Sequence, residues 1–241
     1  MVLSSGVGVA LFALGCIFIA RIFLILRKSE VPKVGRRGPA SVLVVLGSGG
    51  HTTEILRLMD SLSASYAPRH YVIANTDRMS EEKVRILEAS RTKGNTDPQH
   101  TIHWIPRSRE VCQSWTSSVI STVYSLLYSI PLVFQLKPDV KKERYTVKSK
   151  DQHVISLEVD TCHLRVLCNG PGTCVPLCVS ALLLGILGMK KVLIIYVESI
   201  CRVETLSLSG KILYNLSDYF FVQWSVLQKK YPKAIYLGRL V

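Results

Sequence analysis

The chain contains no Cys-x-x-Cys pair. Its seven cysteines, Cys16, Cys112, Cys162, Cys168, Cys174, Cys178 and Cys201, complete no metal-binding box with its six histidines. A zinc module is excluded on that ground. An odd number of scattered cysteines fits a reducing compartment, where most serve as small buried hydrophobes. Acidic residues are scarce, 17 against 30 lysines and arginines, which leaves a net charge of +13. That balance suits an anionic partner: nucleic acid, lipid headgroups or a phosphorylated substrate. No nucleic-acid motif and no basic stripe interleaved with aromatics is present, so no nucleic-acid partner is expected. With 241 residues, 48% of them hydrophobic, the chain has room for one buried core of ordinary domain size plus an extra element.

Charge is nearly missing from residues 7–26, where Arg21 is the single exception. The length matches a bilayer span of about 20 residues. Arg21 lies near the C-terminal end, within snorkelling reach of the interface. Arg27, Lys28, Lys33, Arg36 and Arg37 follow directly, and nothing basic but the amino terminus precedes the span. The positive-inside rule then places the rest of the chain in the cytosol. A cleaved secretory signal is the competing reading, but the basic n-region is lacking and the apolar stretch is long. The expected organisation is a transmembrane anchor over residues 1–28, a basic linker with Pro32, Gly35, Gly38 and Pro39 over 29–40, and a folded domain over 41–241.

Within that domain short apolar runs alternate with helical patterns. Strands are predicted over 42–46, 70–74, 102–105, 166–168, 192–197, 219–222 and 235–237. Helices are predicted over 53–63, 80–90, 110–136, 175–187, 207–215 and 225–231. The alternation implies an α/β fold, a single Rossmann-like parallel sheet covered on both faces. Ligands of such sheets sit beyond the carboxyl ends of the strands, so the residues just after each strand carry the functional argument. Residues 115–134 contain no charge but many serines and threonines and Pro131. An amphipathic helix that packs on the sheet and touches the bilayer surface is expected there; a plain core helix fits the same pattern. Residues 141–165 are polar and charged, without a clear amphipathic period, and are read as an insertion.

Three strings stand at the ligand edge. The first, Gly47-Ser48-Gly49-Gly50-His51-Thr52, follows the first strand. Its glycines let backbone approach a ligand, and free N–H groups at a helix start favour a phosphate or diphosphate. A dinucleotide fold would place a third glycine where Thr52 stands, and a P-loop would end in Gly-Lys-Ser/Thr; both are absent. His51 could donate to a phosphate, accept a proton or pack locally. The second string, Asn169-Gly170-Pro171-Gly172-Thr173, is another glycine turn between a strand and a helix, either a second grip on one anion or a tight turn with Thr173 as N-cap. The third, Tyr196-Val197-Glu198-Ser199, is followed by Arg202. Glu198 could take a proton from a sugar hydroxyl and Arg202 could fork onto a phosphate, or the two could pair along a helix. Arg107 and Arg109, after the third strand, face the same edge and suit lipid phosphates or solvent equally.

Together these three strings resemble the membrane-anchored subunit of the dolichol-pathway N-acetylglucosaminyltransferase, over nearly the whole chain. The resemblance implies half of a GT-B glycosyltransferase, similar to the acceptor-side domain of the bacterial peptidoglycan enzyme. It implies an endoplasmic reticulum membrane location and a cytosolic catalytic partner that carries the UDP-GlcNAc-binding half. The implied reaction adds the second N-acetylglucosamine to dolichyl-diphosphate GlcNAc by an inverting displacement. His51 is then the first candidate base and Glu198 the second. Gly47, Ser48, Gly49, Gly50, Thr52, Asn169, Gly170, Gly172, Thr173 and Arg202 would hold the acceptor diphosphate, with no metal and no cofactor required. Leu240 and Val241, in the C-terminal tail, would dock on the partner. One departure stands out: in the family the strand after Lys-Pro-Asp runs straight into the second glycine string, whereas here the 141–165 segment intervenes. The competing functions are a recruitment adaptor without substrate contact and a membrane-bound NAD(P) oxidoreductase, for which Asp77 is the one suitably placed acid.

Overall fold

The computed structural model describes residue 15 and residues 41–62, 66–91, 100–110, 113–136, 143–148, 154–159, 163–170, 172–189 and 191–240. The expected anchor over 1–28, apart from Gly15, the whole of the expected linker over 29–40, and Val241 lie outside these residues.

Seven strands form one sheet in the order β3-β2-β1-β6-β7-β8-β9: β1 (Val42–Val45), β2 (Arg69–Ala74), β3 (His100–Ile105), β6 (His163–Asn169), β7 (Lys191–Val197), β8 (Tyr219–Val222) and β9 (Ile235–Tyr236). Every pairing is parallel. The chain winds outward from β1 to β3, then returns to lay β6 on the other side of β1. The strand order therefore reverses between β1 and β6, and a crevice opens beyond their carboxyl ends.

Helices cover both faces, which is why the central strands are apolar throughout. Val42 and Val44 pack with Tyr71, Ile73, Ile55 and Met59 of α1 (Gly50–Asp60) and Val84 of α2 (Arg78–Arg91). Leu43 and Val45, pointing the other way, pack with Val72, Val166, Cys168 and Ile194 under Val133 of α3 (Trp115–Gln135) and Leu177, Ala181 and Leu184 of α4 (Cys174–Ile186). Two short helices complete this second layer: α5 (Leu208–Leu213) and α6 (Ser225–Lys230), with Leu213 and Leu227 buried.

Three expectations change. The first helix begins at Gly50 rather than after Thr52, so His51 and Thr52 sit in its first turn. The long helix begins after Ser114, whose hydroxyl accepts the Ser117 N–H, and not at Glu110. The 141–165 segment, read as an insertion, contains two strands: β4 (Glu143–Lys148) and β5 (Val154–Val159) pair antiparallel as a separate two-stranded sheet, with Tyr145 opposite Leu157 and Val147 opposite Ile155. Its last residues belong to the main sheet, because β6 starts at His163 and sets Arg165 opposite Val42 of β1. Arg165 is accommodated there with its guanidinium 5.0 Å from the centre of the Tyr66 ring.

Candidate functional site

The crevice is a cleft of about 390 Å³ lined by Gly50, His51, Glu54, Gly170, Ser199, Cys201, Arg202 and Ser207. These residues come from the start of α1 and from the segments that follow β6 and β7. The register explains the convergence: Val45 is level with Cys168, and Cys168 with Tyr196, so all three strands deliver their next residues to one edge.

Gly49 makes the turn into α1 with φ at 64°, a left-handed conformation that favours glycine. Ser48, Gly49 and Gly50 are exposed at the helix start, and the first turn carries no acidic residue. The positive end of an eleven-residue helix thus opens on the cleft. Gly47 and Thr52 play a different part. Both are buried; the Thr52 hydroxyl donates to the Gly47 carbonyl at 2.6 Å and meets the Ser80 hydroxyl at 2.6 Å. They brace the turn from behind.

His51, Asn169, Glu54 and Ser199 form a single hydrogen-bonded chain across the cleft. Asn169 Nδ2 donates to Glu54 Oε2 at 2.8 Å, and the Ser199 hydroxyl donates to Glu54 Oε1 at 2.9 Å. A carboxylate only accepts, so the Asn169 amide must turn its NH₂ toward Glu54 and its oxygen toward His51. His51 Nδ1, 3.1 Å from that oxygen, is then the nitrogen that carries the proton. In the neutral ring with that proton on Nδ1, Nε2 is the nitrogen with the lone pair. This is the arrangement of a neutral imidazole able to accept a proton. Gly170 makes room for the ring: its φ is 64°, and a Cβ there would lie 2.7 Å from His51 Cε1.

Glu198 is placed elsewhere than expected. It is fully buried and does not line the cleft. Its Oε1 accepts the Ser199 N–H at 3.0 Å, and its Oε2 accepts the Ser207 N–H at 3.0 Å and hydroxyl at 3.1 Å. Burial pushes its carboxyl above the ordinary range, and these bonds offset part of that rise. Glu198 holds two residues that line the cleft, Ser199 and Ser207, and lies buried behind them. Arg202 is exposed in the cleft wall, where its backbone N–H closes a turn onto the Ser199 carbonyl at 3.0 Å. That turn is not helical, so the expected helical pairing of Glu198 with Arg202 is absent.

Thr173 is buried at the start of α4 without a side-chain cap bond, and Gly172 is exposed, its carbonyl accepting the Val175 N–H at 3.2 Å. Arg109 lies against this second turn, since a Cβ on Gly172 would be 4.0 Å from its own. Arg107 is half-buried nearby in the chain. Leu240 is partly buried against the chain's own core, and its N–H donates to Gln223 Oε1 at 2.8 Å. Asp77 caps α2 through the Ser80 N–H and hydroxyl, which engages the acid that a dinucleotide would need. Glu54 and Ser199 take part in the site, although the sequence reading gave neither a role. Glu54 stands one turn beyond Gly50 on the same helix, and that spacing was the available signal. Among the described residues no group of three or more histidines, cysteines, aspartates or glutamates is arranged to hold a metal ion.

A family model described as "Oligosaccharide biosynthesis protein Alg14 like" matches residues 42–240. The chain belongs to the Alg14 family. A relative from Rattus norvegicus, named UDP-N-acetylglucosamine transferase subunit ALG14, is 54% identical over 95% of this chain and 94% of its own length. The protein of the same name from Homo sapiens is 53% identical over 100% and 98%. That from Yarrowia lipolytica is 42% identical over 83% and 81%. No solved structure matches the chain. The resemblance carried by the three strings is therefore borne out for the Alg14 family, and two of those strings converge on the cleft directly, the third through Ser199.

Proposed function

We propose that this chain is the acceptor-holding half of a two-chain UDP-N-acetylglucosamine transferase at the endoplasmic reticulum membrane. The observation that carries the reading is the pair of glycine turns at the β1/β6 reversal, joined by the His51–Asn169–Glu54–Ser199 hydrogen bonds. The backbone N–H groups of residues 48–51, with Arg202 opposite, hold the diphosphate of dolichyl-diphosphate GlcNAc. The 4-hydroxyl of its sugar gives its proton to His51 Nε2 as it attacks the anomeric carbon of UDP-GlcNAc, and UDP leaves. Asn169 keeps His51 in the required tautomer, and the Glu54 carboxylate, held by Ser199, stabilises the charge that develops on the ring. Glu198 acts one step back, as the residue that positions Ser199 and Ser207.

One sheet supplies one wall of such an active site. The UDP-sugar half comes from a cytosolic catalytic partner, and the C-terminal residues Leu240 and Val241 belong to the docking segment. An N-terminal anchor over residues 1–28 holds the complex on the cytosolic face.

The test is co-expression with the catalytic chain, purification from membranes and assay of both the complex and the isolated chain. Activity restricted to a stoichiometric complex is the expected result. Within the complex, His51→Ala lowers kcat on the order of 10²–10⁴-fold while partner binding is retained. Transfer by the isolated chain, or unchanged turnover in His51→Ala, refutes the assignment.

A further inference from the structure

The turn that follows β7 gives Ser199, Cys201 and Arg202 to the cleft, and its two ends are held differently. Ser199 is fixed twice: its N–H donates to Glu198 Oε1 at 3.0 Å and its hydroxyl to Glu54 Oε1 at 2.9 Å. Beyond it the turn closes on itself, with the Arg202 N–H on the Ser199 carbonyl at 3.0 Å and the Cys201 N–H on the Ser199 hydroxyl oxygen at 3.3 Å. Among the described residues, one hydrogen bond reaches residues 200–203 from outside the turn: the Trp224 indole N–H donates to the Ile200 carbonyl at 2.7 Å. An indole N–H donates and never accepts, so the direction of this bond is fixed. Trp224 stands between β8 and α6, at the same edge of the sheet as the cleft.

Trp224 is itself clamped by the last residues of the sheet's far side. β9 runs parallel to β8, with Tyr236 level with Val222. Past β9, Gly238 takes a φ of 89°, a left-handed turn that favours glycine, and the chain comes back over the end of β8. There the Arg239 guanidinium lies 4.5 Å over the Trp224 ring, and the Leu240 N–H donates to Gln223 Oε1 at 2.8 Å. Gln223 is fully buried, which makes it a fixed post for the tail. Successive residues after β8 thus grip the tail, and the second of them grips the cleft turn.

We infer that Trp224, held by Arg239, is a positioning residue of the cleft and that it acts by setting Arg202. The inference rests on the reading that Arg202 meets the acceptor diphosphate. Arg202 is exposed, so a ligand must pay to order its side chain and the turn that carries it. Fixing the Ile200 carbonyl two residues earlier removes the backbone part of that cost before the ligand arrives. Arg239, stacked on the indole by a cation–π contact, keeps the ring from swinging off Ile200. The diphosphate is not the reacting part of the acceptor, so the effect falls on binding and not on the chemical step. The tail then has a task within its own chain, separate from any docking on the partner.

The experiment assays the two-chain complex with a soluble dolichyl-diphosphate GlcNAc analogue, varying each substrate in turn. Trp224→Phe keeps an aromatic ring and loses the donor. It is expected to raise the KM for the acceptor about three- to tenfold, the weight of one net hydrogen bond, with kcat and the KM for UDP-GlcNAc within about twofold of the wild type. Arg239→Ala, at an exposed position, is expected to move the acceptor KM in the same direction with partner affinity retained, and it carries the test if Trp224→Phe does not fold. Both effects are expected to vanish in an Arg202→Ala background, which a general loss of packing would not produce. A Trp224→Phe effect that persists in that background, or a lower kcat with the acceptor KM unchanged, overturns the proposal. Weakened partner binding in Arg239→Ala with an unaltered acceptor KM makes the tail a docking element alone and overturns it too. Arg202→Ala without effect on the acceptor KM refutes the diphosphate role of Arg202 and this proposal with it, whereas the other adverse outcomes leave that role standing.

Discussion

His51 Nδ1 and Asn169 Oδ1 lie 3.1 Å apart although 118 positions separate them in the chain. The contact exists because the parallel register sets β1 beside β6 and ends both strands at the same height. Each residue alone is an ordinary polar side chain at a turn. Together with Glu54 they set the proton on Nδ1, the tautomer that the proposed base role of His51 requires. Asn169→Asp tests this. It sets a second carboxylate against Glu54 at 2.8 Å, and two carboxylates that close cannot both ionise. The expected outcome is a kcat loss on the order of 10²-fold with a pH–rate profile shifted from that of the wild type, measured in the two-chain complex. Asn169→Ala should lose activity without the altered profile.

Gly170 supplies the second prediction. A side chain there meets two penalties: a φ of 64°, which costs an ordinary residue roughly 1–2 kcal/mol, and the His51 ring in the space that a Cβ would take. Gly170→Ala is expected to lower the thermal midpoint and also to displace His51 from Asn169. Activity therefore falls further than stability does. Removing the ring as well, in His51→Ala/Gly170→Ala, relieves the overlap, so the double variant is more stable than the sum of the two single losses implies. Additive losses in thermal unfolding argue that the ring does not lie over Gly170.

A similar relationship defines the role of Glu198. A Cβ on Gly210 would run into the Glu198 carboxylate and lie 3.0 Å from the Ser207 hydroxyl. Gly210→Ala is expected to cost about 1–3 kcal/mol of unfolding free energy, as overpacking of a tight site does. In a Glu198→Ala background the same substitution costs less, because the carboxylate it displaces is gone. The cycle is read by denaturant unfolding. Its companion in activity is a Glu198→Ala variant that impairs transfer mainly through the displaced Ser199 and Ser207, with the pH–rate profile still set by His51. If the profile changes with Glu198, that residue takes a proton directly.

The sheet was legible because its strands are buried on both faces and announce themselves as apolar runs; β8 was found with both ends in place, and β1 ran one residue past its last paired position at Val45. Helix starts were harder. Gly49 and Gly50 read as one continuous loop, whereas Gly49 makes the turn and Gly50 already begins α1. The hairpin of β4 and β5 was hidden by its charge, although Arg144-Tyr145-Thr146-Val147 and Ile155-Ser156-Leu157-Glu158 alternate with the period of two that marks a strand. The cleft was legible as a place, from the glycines after two strands, but the part each carboxylate plays was not. Glu198 stood directly after a strand, where a ligand was expected, and proved to point inward. Glu54 was given no role, and it accepts from both Asn169 and Ser199. Only the tertiary contacts of Asn169 and Ser199 distinguish them.

The last prediction concerns acid stability and the base of the sheet, away from the cleft. Glu88 is buried on α2 and takes a two-pronged bond from Arg69, Nε to Oε1 at 2.8 Å and Nη2 to Oε2 at 2.7 Å, with the Tyr71 hydroxyl donating to Oε1 as well. Burial alone would raise its carboxyl, but the bonds from Arg69 and Tyr71 outweigh burial and hold it below the ordinary range. The folded state therefore binds this proton less readily than the unfolded chain. Its contribution is fully present above the ordinary glutamate pKa, near ~4.3, and drains away as pH falls below that toward the folded value. Glu198 acts with the opposite sign, since its raised carboxyl favours the fold when protonated and loses that advantage as pH rises through its folded value. Glu88→Gln separates the two. It leaves Arg69 buried beside a neutral partner, which costs on the order of 3–5 kcal/mol at neutral pH. It also removes the acid-side decline, so the thermal midpoint of the variant flattens below about pH 4 while that of the wild type keeps falling. Parallel acid limbs in the two proteins would show that Glu88 is not the group that titrates.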